Sequence, residues 1–205
     1  MDTQEQLATT FDKLPNFPFK SLETFWRDHQ AGKIQVTLDR GIARQWAMKS
    51  QKSPGWLRSL TITLTWFPYL ILLAYIVAVI LFQEWVYLLG SPLVYKASDI
   101  LNPGSSIRFP VVRPILILTS IISFAVSLIF VIQGLLILSI AILVLWADCN
   151  LVYSIPARFL WRSGLNDEYV VCMLWQGNAL SIVYPNGDRY THRFKVVNGE
   201  DTWYS

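Results

Sequence analysis

The residues equipped for chemistry are few in this sequence and lie far apart. There are only two histidines, His29 beside Asp28 and His192 in the C-terminal stretch DRYTHRFKVV, and only two cysteines, Cys149 and Cys172. A histidine next to a carboxylate can serve general acid–base catalysis, and a cysteine can act as a nucleophile where a cation or histidine lowers its pKa. Neither arrangement is completed here. The triplet Asp148, Cys149, Asn150 has no histidine near it in sequence, so a packed or acylated thiol is the simpler reading. His29 and His192 stand in different segments without cysteine ligands beside them, a poor basis for a metal centre. Asp167 and Glu168 are adjacent, and on an expected strand adjacent residues point to opposite faces, which separates the two carboxylates. Glycine-rich phosphate loops, H-E-x-x-H, G-x-S-x-G and Ser-x-x-Lys patterns are absent from the sequence. The expectation is therefore no catalytic residue, no metal and no cofactor.

The basic residues form two groups. Arg40, Arg44, Lys49, Lys52 and Arg58 precede the first apolar run, and Arg189, Arg193 and Lys195 alternate along one expected strand face. Near a membrane each such side chain is worth about 1 kcal/mol toward anionic headgroups, and Arg189, Arg193 and Lys195 are assigned that contact. The net charge of +3 is too small to imply a nucleic-acid partner.

The elements that must carry these residues are set by hydrophobicity. The chain is 53% hydrophobic and 15% charged, against about 25% charged in an ordinary soluble domain. Thr61–Phe82 and Pro114–Ala147 contain no Asp, Glu, Lys, Arg or His. Both runs exceed the roughly 20 residues a helix needs to cross a bilayer. The polar start MDTQEQLATT lacks a signal peptide's basic and apolar regions, so the first span is expected to stay as an anchor. Without an acidic or basic residue inside either run, no proton or ion relay is expected.

The second run poses a choice between one long helix and two that turn at Gln133 and Gly134. Lys and Arg favour the cytoplasmic side of a membrane. With two spans and both termini cytoplasmic the flanking basic residues divide seven inside to three outside, counting Lys96, Arg108 and Arg113 outside and Arg158 and Arg162 inside; with three spans they divide five to five. One Gln and one Gly are also a weak turn signal. The expected fold is accordingly a hairpin of two transmembrane helices, with Gln133 at a helix interface. A helix over Pro114–Ala147 would be about 51 Å long, against a hydrocarbon core of about 30 Å. Even a tilt of about 40° would use only about 39 Å of it, so the excess calls for cover by the loop or by another protein. In the first span Trp66 and Trp85 stand about 28 Å apart along a helix, the spacing of two interfacial aromatic belts. Ala74 and Ala78 on that helix, with Thr119, Ser123 and Ser127 on the second, are the small residues expected to pack the helices together.

Outside the spans, SLETFWRDHQAGK reads as a helix capped by Ser21 and stopped by Gly32, KIQVTL as a strand, and IARQWAMKS as a second, basic helix. After Trp161 the runs YVVCMLW, ALSIVY and DRYTHRFKVV, separated by Gln-Gly-Asn and Pro-Asn-Gly, read as an antiparallel meander of three to four strands. His192 falls on its apolar face with Tyr190, Phe194 and Val196. The N-terminal pieces and the meander then make one small cytoplasmic α+β unit.

The resulting organisation is 1–55 an N-terminal cytoplasmic segment, 56–89 an interfacial lead-in and first transmembrane helix, 90–113 an inter-span loop of turns, 114–147 a long second transmembrane helix, and 148–205 the cytoplasmic meander. The function this suggests is a non-catalytic integral-membrane accessory subunit or assembly factor docked on a larger membrane protein complex and in contact with membrane lipids. The default location is a bacterial inner membrane, with a thylakoid or organelle membrane as the alternative. Two other readings compete: a lipid- or thiol-modifying enzyme at the membrane surface using Cys149 or the His192 region, and a homo-oligomeric channel or sensor built on the Thr119, Ser123, Ser127 stripe.

Overall fold

The computed structural model describes residues 10–14, 16–102, 111–197 and 200–203; of Asp12 and Asp201 only the backbone is described. Arg108, most of the Asn-Pro-Gly stretch and the Asn198-Gly199 turn lie outside these residues. Two compact units form, one from both ends of the chain, up to residue 45 and from residue 156 onward, and one from residues 46–155.

The unit made of the chain ends begins with α1 (Leu22–Gln30), whose Ser21 cap accepts a hydrogen bond from the Thr24 amide at 3.3 Å. Gly32 beyond it takes φ +69°, the left-handed conformation that glycine adopts without a Cβ penalty. The strand β1 (Gln35–Leu38) follows, and then α2 (Arg40–Lys49). Both helices and the strand form where the sequence places them. In the C-terminal part α7 (Glu168–Gln176) precedes β2 (Leu180–Val183), β3 (Arg189–Tyr190), β4 (Phe194–Val197) and β5 (Glu200–Trp203). The sheet is antiparallel throughout in the order β1-β2-β3-β4-β5. Its N-terminal strand pairs with β2 so that Val36 faces Ile182 and Leu38 faces Leu180. The composite of both chain ends expected from sequence therefore exists as one sheet.

Two expectations for this unit change. The run Tyr169–Trp175 is the helix α7 and not a strand. Asp167 caps it by accepting from the Tyr169 amide at 2.9 Å, and Val170, Val171, Cys172, Leu174 and Trp175 are all buried. An apolar run without periodicity fits a buried helix as well as a covered strand, and the Asp cap decides between them. The run Asp188–Val197 is also not one strand. It turns back at His192 and Arg193, where the Thr191 amide donates to the Phe194 carbonyl at 2.9 Å and the Phe194 amide to Thr191 Oγ1 at 3.1 Å. Aromatic side chains fill the core beneath: Phe17 stands 4.9 Å from Trp175 and Phe19 5.5 Å from Phe25, centroid to centroid. Trp26 Nε1 donates to the Leu165 carbonyl at 3.1 Å.

The other unit is helical. α3 (Gly55–Leu81), α5 (Val112–Phe130) and α6, which starts at Gln133 and runs to Arg162, are three helices long and apolar enough to cross a membrane. The hairpin of two is thus replaced by three candidates, and the division falls inside Pro114–Ala147. α5 ends at Val131, which takes φ +53°, and the amides of Val131 and Ile132 both return to the Ser127 carbonyl. Both bonds go to one carbonyl and turn the chain inside the apolar run without a polar turn residue. Gln133 opens α6 and is exposed rather than packed between helices. The buried Gly134 serves close approach: a Cβ there would lie 2.1 Å from the ring of Tyr87.

The lead-in Trp56–Thr65 is continuous with α3. The segment read as loop is ordered differently too. A 3₁₀ stretch, Trp85–Gly90, leads directly into α4 (Ser91–Leu101). Val94, Ala97 and Leu101 of α4 are buried in one cluster with Ile71, Tyr75 and Val79 of α3 and Ala141, Ile142, Leu145 and Cys149 of α6. The Tyr75 hydroxyl donates to the Tyr87 carbonyl.

Candidate functional site

The polar side chains of the α+β unit converge at one end of its sheet. Strand register places Thr37 opposite Ser181, and the Thr191–Phe194 pairing continues the row, so Thr37, Ser181, Thr191 and Phe194 lie side by side on one face. Arg189 is two residues before Thr191 and projects from the same face. A cleft of about 250 Å³ opens over this row, lined by Thr37, Leu38, Asp39, Asn178, Ala179, Ser181, Arg189, Thr191 and Phe194.

Its hydrogen bonds are directional. Thr37 Oγ1 and Ser181 Oγ stand 2.6 Å apart, and Arg189 Nη2 donates to Ser181 Oγ at 3.2 Å. Thr191 Oγ1 donates to the Phe194 carbonyl at 2.8 Å and accepts the Phe194 amide, so it is committed to the hairpin. Asp39 Oδ1 accepts from the Ile42 amide at 2.9 Å and caps α2. Asn178, at φ +54° just beyond α7, has a buried Oδ1 that meets no donor. A buried acceptor left unsatisfied costs about 1–3 kcal/mol. The cleft thus has donors at the Arg189 end and acceptors at Asp39 and Asn178, with Ala179 and Phe194 as the apolar part of a mainly polar lining.

The residues singled out from sequence fall elsewhere, with one exception. Arg189 lines the cleft, but the hairpin sets it opposite Val196 while Lys195 is opposite Tyr190. Arg189 and Lys195 therefore project from opposite faces, and Arg193 sits at the exposed turn; the shared basic face does not form. His192 is half-buried at the same turn. His29 Nδ1 lies 3.3 Å from the Ile34 carbonyl, and its ring is 5.8 Å from that of Trp161. Glu168 Oε1 accepts from the Phe11 amide at 2.9 Å, which ties down the N-terminal segment, while Asp167 caps α7. Burial and the nearby Glu168 carboxylate push the Cys172 thiol up to about 11. Burial likewise raises the Tyr184 hydroxyl, with Tyr190 and Asp28 adding to it.

Among the helices, Cys149 is buried with its thiol 3.7 Å from the Ser98 carbonyl, and Asp148 beside it is 3% exposed. Arg113 Nη2 donates to Asn150 Oδ1 at 3.4 Å. The packed stripe of α3 runs through Ile71, Tyr75 and Val79, leaving Ala74 exposed and Ala78 half-buried. On α5, Ser127 and Ser120 are buried, Ser123 is half-buried and Thr119 is exposed. Sequence reasoning missed Thr37, Asp39, Asn178 and Ser181. Their only signal was the position of hydroxyl and amide side chains at strand ends, which becomes a site once β1 is known to pair with β2.

The chain matches no protein family, no curated protein and no solved structure.

Proposed function

We propose that this chain is a non-catalytic, membrane-embedded accessory subunit or assembly factor whose α+β unit docks on a larger membrane protein complex. The observation that carries the proposal is the sheet's last strand. β5 ends the strand order, and its Trp203 is 69% exposed beside Phe194. An edge strand offers unpaired backbone groups to a partner's strand, and an exposed tryptophan is the residue type most often found at binding hot spots.

The same reading includes an orientation. Residues 35–38 and 180–183 share one sheet, so the chain must leave and re-enter the same side of a membrane, which takes an even number of crossings. Three helices supply an odd number. The fourth crossing is assigned to Trp85–Leu101: six residues of 3₁₀ helix and eleven of α-helix extend about 28 Å, close to the hydrocarbon thickness of about 30 Å. Support comes from the contacts at its two ends. Gly90 adjoins Tyr75 and Leu138, whereas Ser98 meets Cys149 eleven residues further along α6. With four crossings, Arg40, Arg44, Lys49, Lys52, Arg58, Arg113, Arg158 and Arg162 all fall on the side of the sheet, and Lys96 lies in the last two turns of the fourth crossing, toward that side. The opposite side receives only Phe82–Glu84 and the Val131–Ile132 turn, without a basic residue. That distribution supports a cytoplasmic position for the sheet. Arg193, at the exposed turn, is the member of the basic trio retained for anionic headgroups.

The test is purification of the tagged protein from its native membrane in a mild detergent, with mass spectrometry of what accompanies it. A large particle with other subunits in fixed ratio, lost on Trp203→Ala, is the expected result. A particle holding only this chain would overturn the proposal.

A further inference from the structure

We infer that the cleft over β1, β2 and β3 binds a small zwitterion of the α-amino acid class. The argument rests on unspent hydrogen-bonding capacity. A guanidinium carries five N–H donors, of which Nη2 is engaged with Ser181. Ser181 Oγ accepts that bond and shares a second with Thr37 Oγ1. A pair of hydroxyls has two hydrogens, and one lies between them, so the other is left for a ligand oxygen. This end of the cleft is therefore a set of donors with a positive charge, suited to a carboxylate.

The other end has the opposite character. Asn178 Oδ1 is buried and accepts nothing, and Asp39 brings a negative charge although one of its oxygens already caps α2. An ammonium group would satisfy both. A simple anion would leave Asn178 unpaired and face Asp39, and a simple cation would face Arg189. A molecule carrying an ammonium and a carboxylate on one carbon meets each group with its complement. Ala179 and Phe194 are the apolar part of the lining and leave room for a small side chain only, since the volume of about 250 Å³ is just below the usual range of ligand cavities. The site is carried on the ends of hydrogen-bonded strands, the rigid placement that ligand recognition favours.

Calorimetry on the full chain in detergent tests this with L-alanine and the other common amino acids, and with propionate and ethylamine as the two halves of alanine. The expected result is saturable binding of one or more amino acids, with propionate and ethylamine each weaker by at least about tenfold. Arg189→Gln should weaken the amino acid by about tenfold or more. Asn178→Gly, which keeps the left-handed backbone while deleting the amide, should do the same. Failure of every amino acid to bind would overturn the inference. Propionate binding as tightly as alanine, or binding unaffected by both substitutions, would overturn it equally, the former in favour of a plain anion site.

Discussion

The hydroxyls of Thr37 and Ser181 stand 2.6 Å apart across the β1–β2 ladder, although 144 residues separate them. All three long apolar helices lie between the two in sequence. This pairing turns a question of topology into one of parity.

Four crossings make a prediction that three or two do not. In a chain carrying Cys149→Ser and Cys172→Ala, the single substitutions Lys52→Cys and Asn102→Cys should react with a membrane-impermeant maleimide from one face of sealed vesicles. Glu84→Cys should react only from the other. If Asn102→Cys labels from the face of Glu84→Cys, the segment Trp85–Leu101 does not return across the membrane.

Gly134 lies under the Tyr87 ring, where a Cβ would approach to 2.1 Å. Gly134→Ala should therefore lower the melting temperature of the protein in detergent, by overpacking worth about 1–3 kcal/mol. In a Tyr87→Leu background, with the ring gone, the same change should cost little. A double-mutant cycle measures the difference, and equal costs in both backgrounds would show that Gly134 is conserving backbone conformation and not space for the ring.

These helices also show what was legible beforehand. Apolar content located the helices long and apolar enough to cross a membrane, since a run such as Thr61–Phe82 carries no charge to divide it. Their number was not legible. The break after Phe130 is made by Val131 and Ile132, β-branched residues that seldom take φ above zero, so no turn chemistry announces it. α4 was hidden for the opposite reason: Ser-Pro reads as a turn, yet proline fits the first turn of a helix. In the α+β unit, capping at Ser21 and Gly32 was readable because it is local. The Tyr169–Trp175 run was misassigned because burial on all sides erases the period that separates helix from strand. The cleft was unreadable in principle, because it depends on β1 meeting β2.

Cys172 should be inert to alkylation at neutral pH until the protein unfolds. Its thiol is raised from an ordinary 9.0 to about 11 by burial and by Glu168. Because the folded state holds its proton more tightly, this group's contribution to stability is complete below pH 9.0 and is lost as pH rises toward about 11. Chemical denaturation across that window should show a steeper loss of stability in the native sequence than in Cys172→Ala. Parallel pH profiles would show that the thiol is not shifted by the fold.

Asp167 replaces what the sequence alone presents as a solvent carboxylate with a structural one. Its side chain accepts the Tyr169 amide at the start of α7, a helix that buries Trp175 and Leu174 in the aromatic core. Loss of a cap of this type costs about 0.5–2 kcal/mol. Asp167→Ala should therefore lower stability by that amount, and Asp167→Asn, which keeps the accepting oxygen, should recover most of it. The negative charge adds a smaller term at a helix start, about 0.3–1 kcal/mol and screened by salt. The deficit left in Asp167→Asn should accordingly shrink as salt is added, while that of Asp167→Ala persists. If Asn rescues nothing at any salt concentration, the cap is not what holds the first turn of α7.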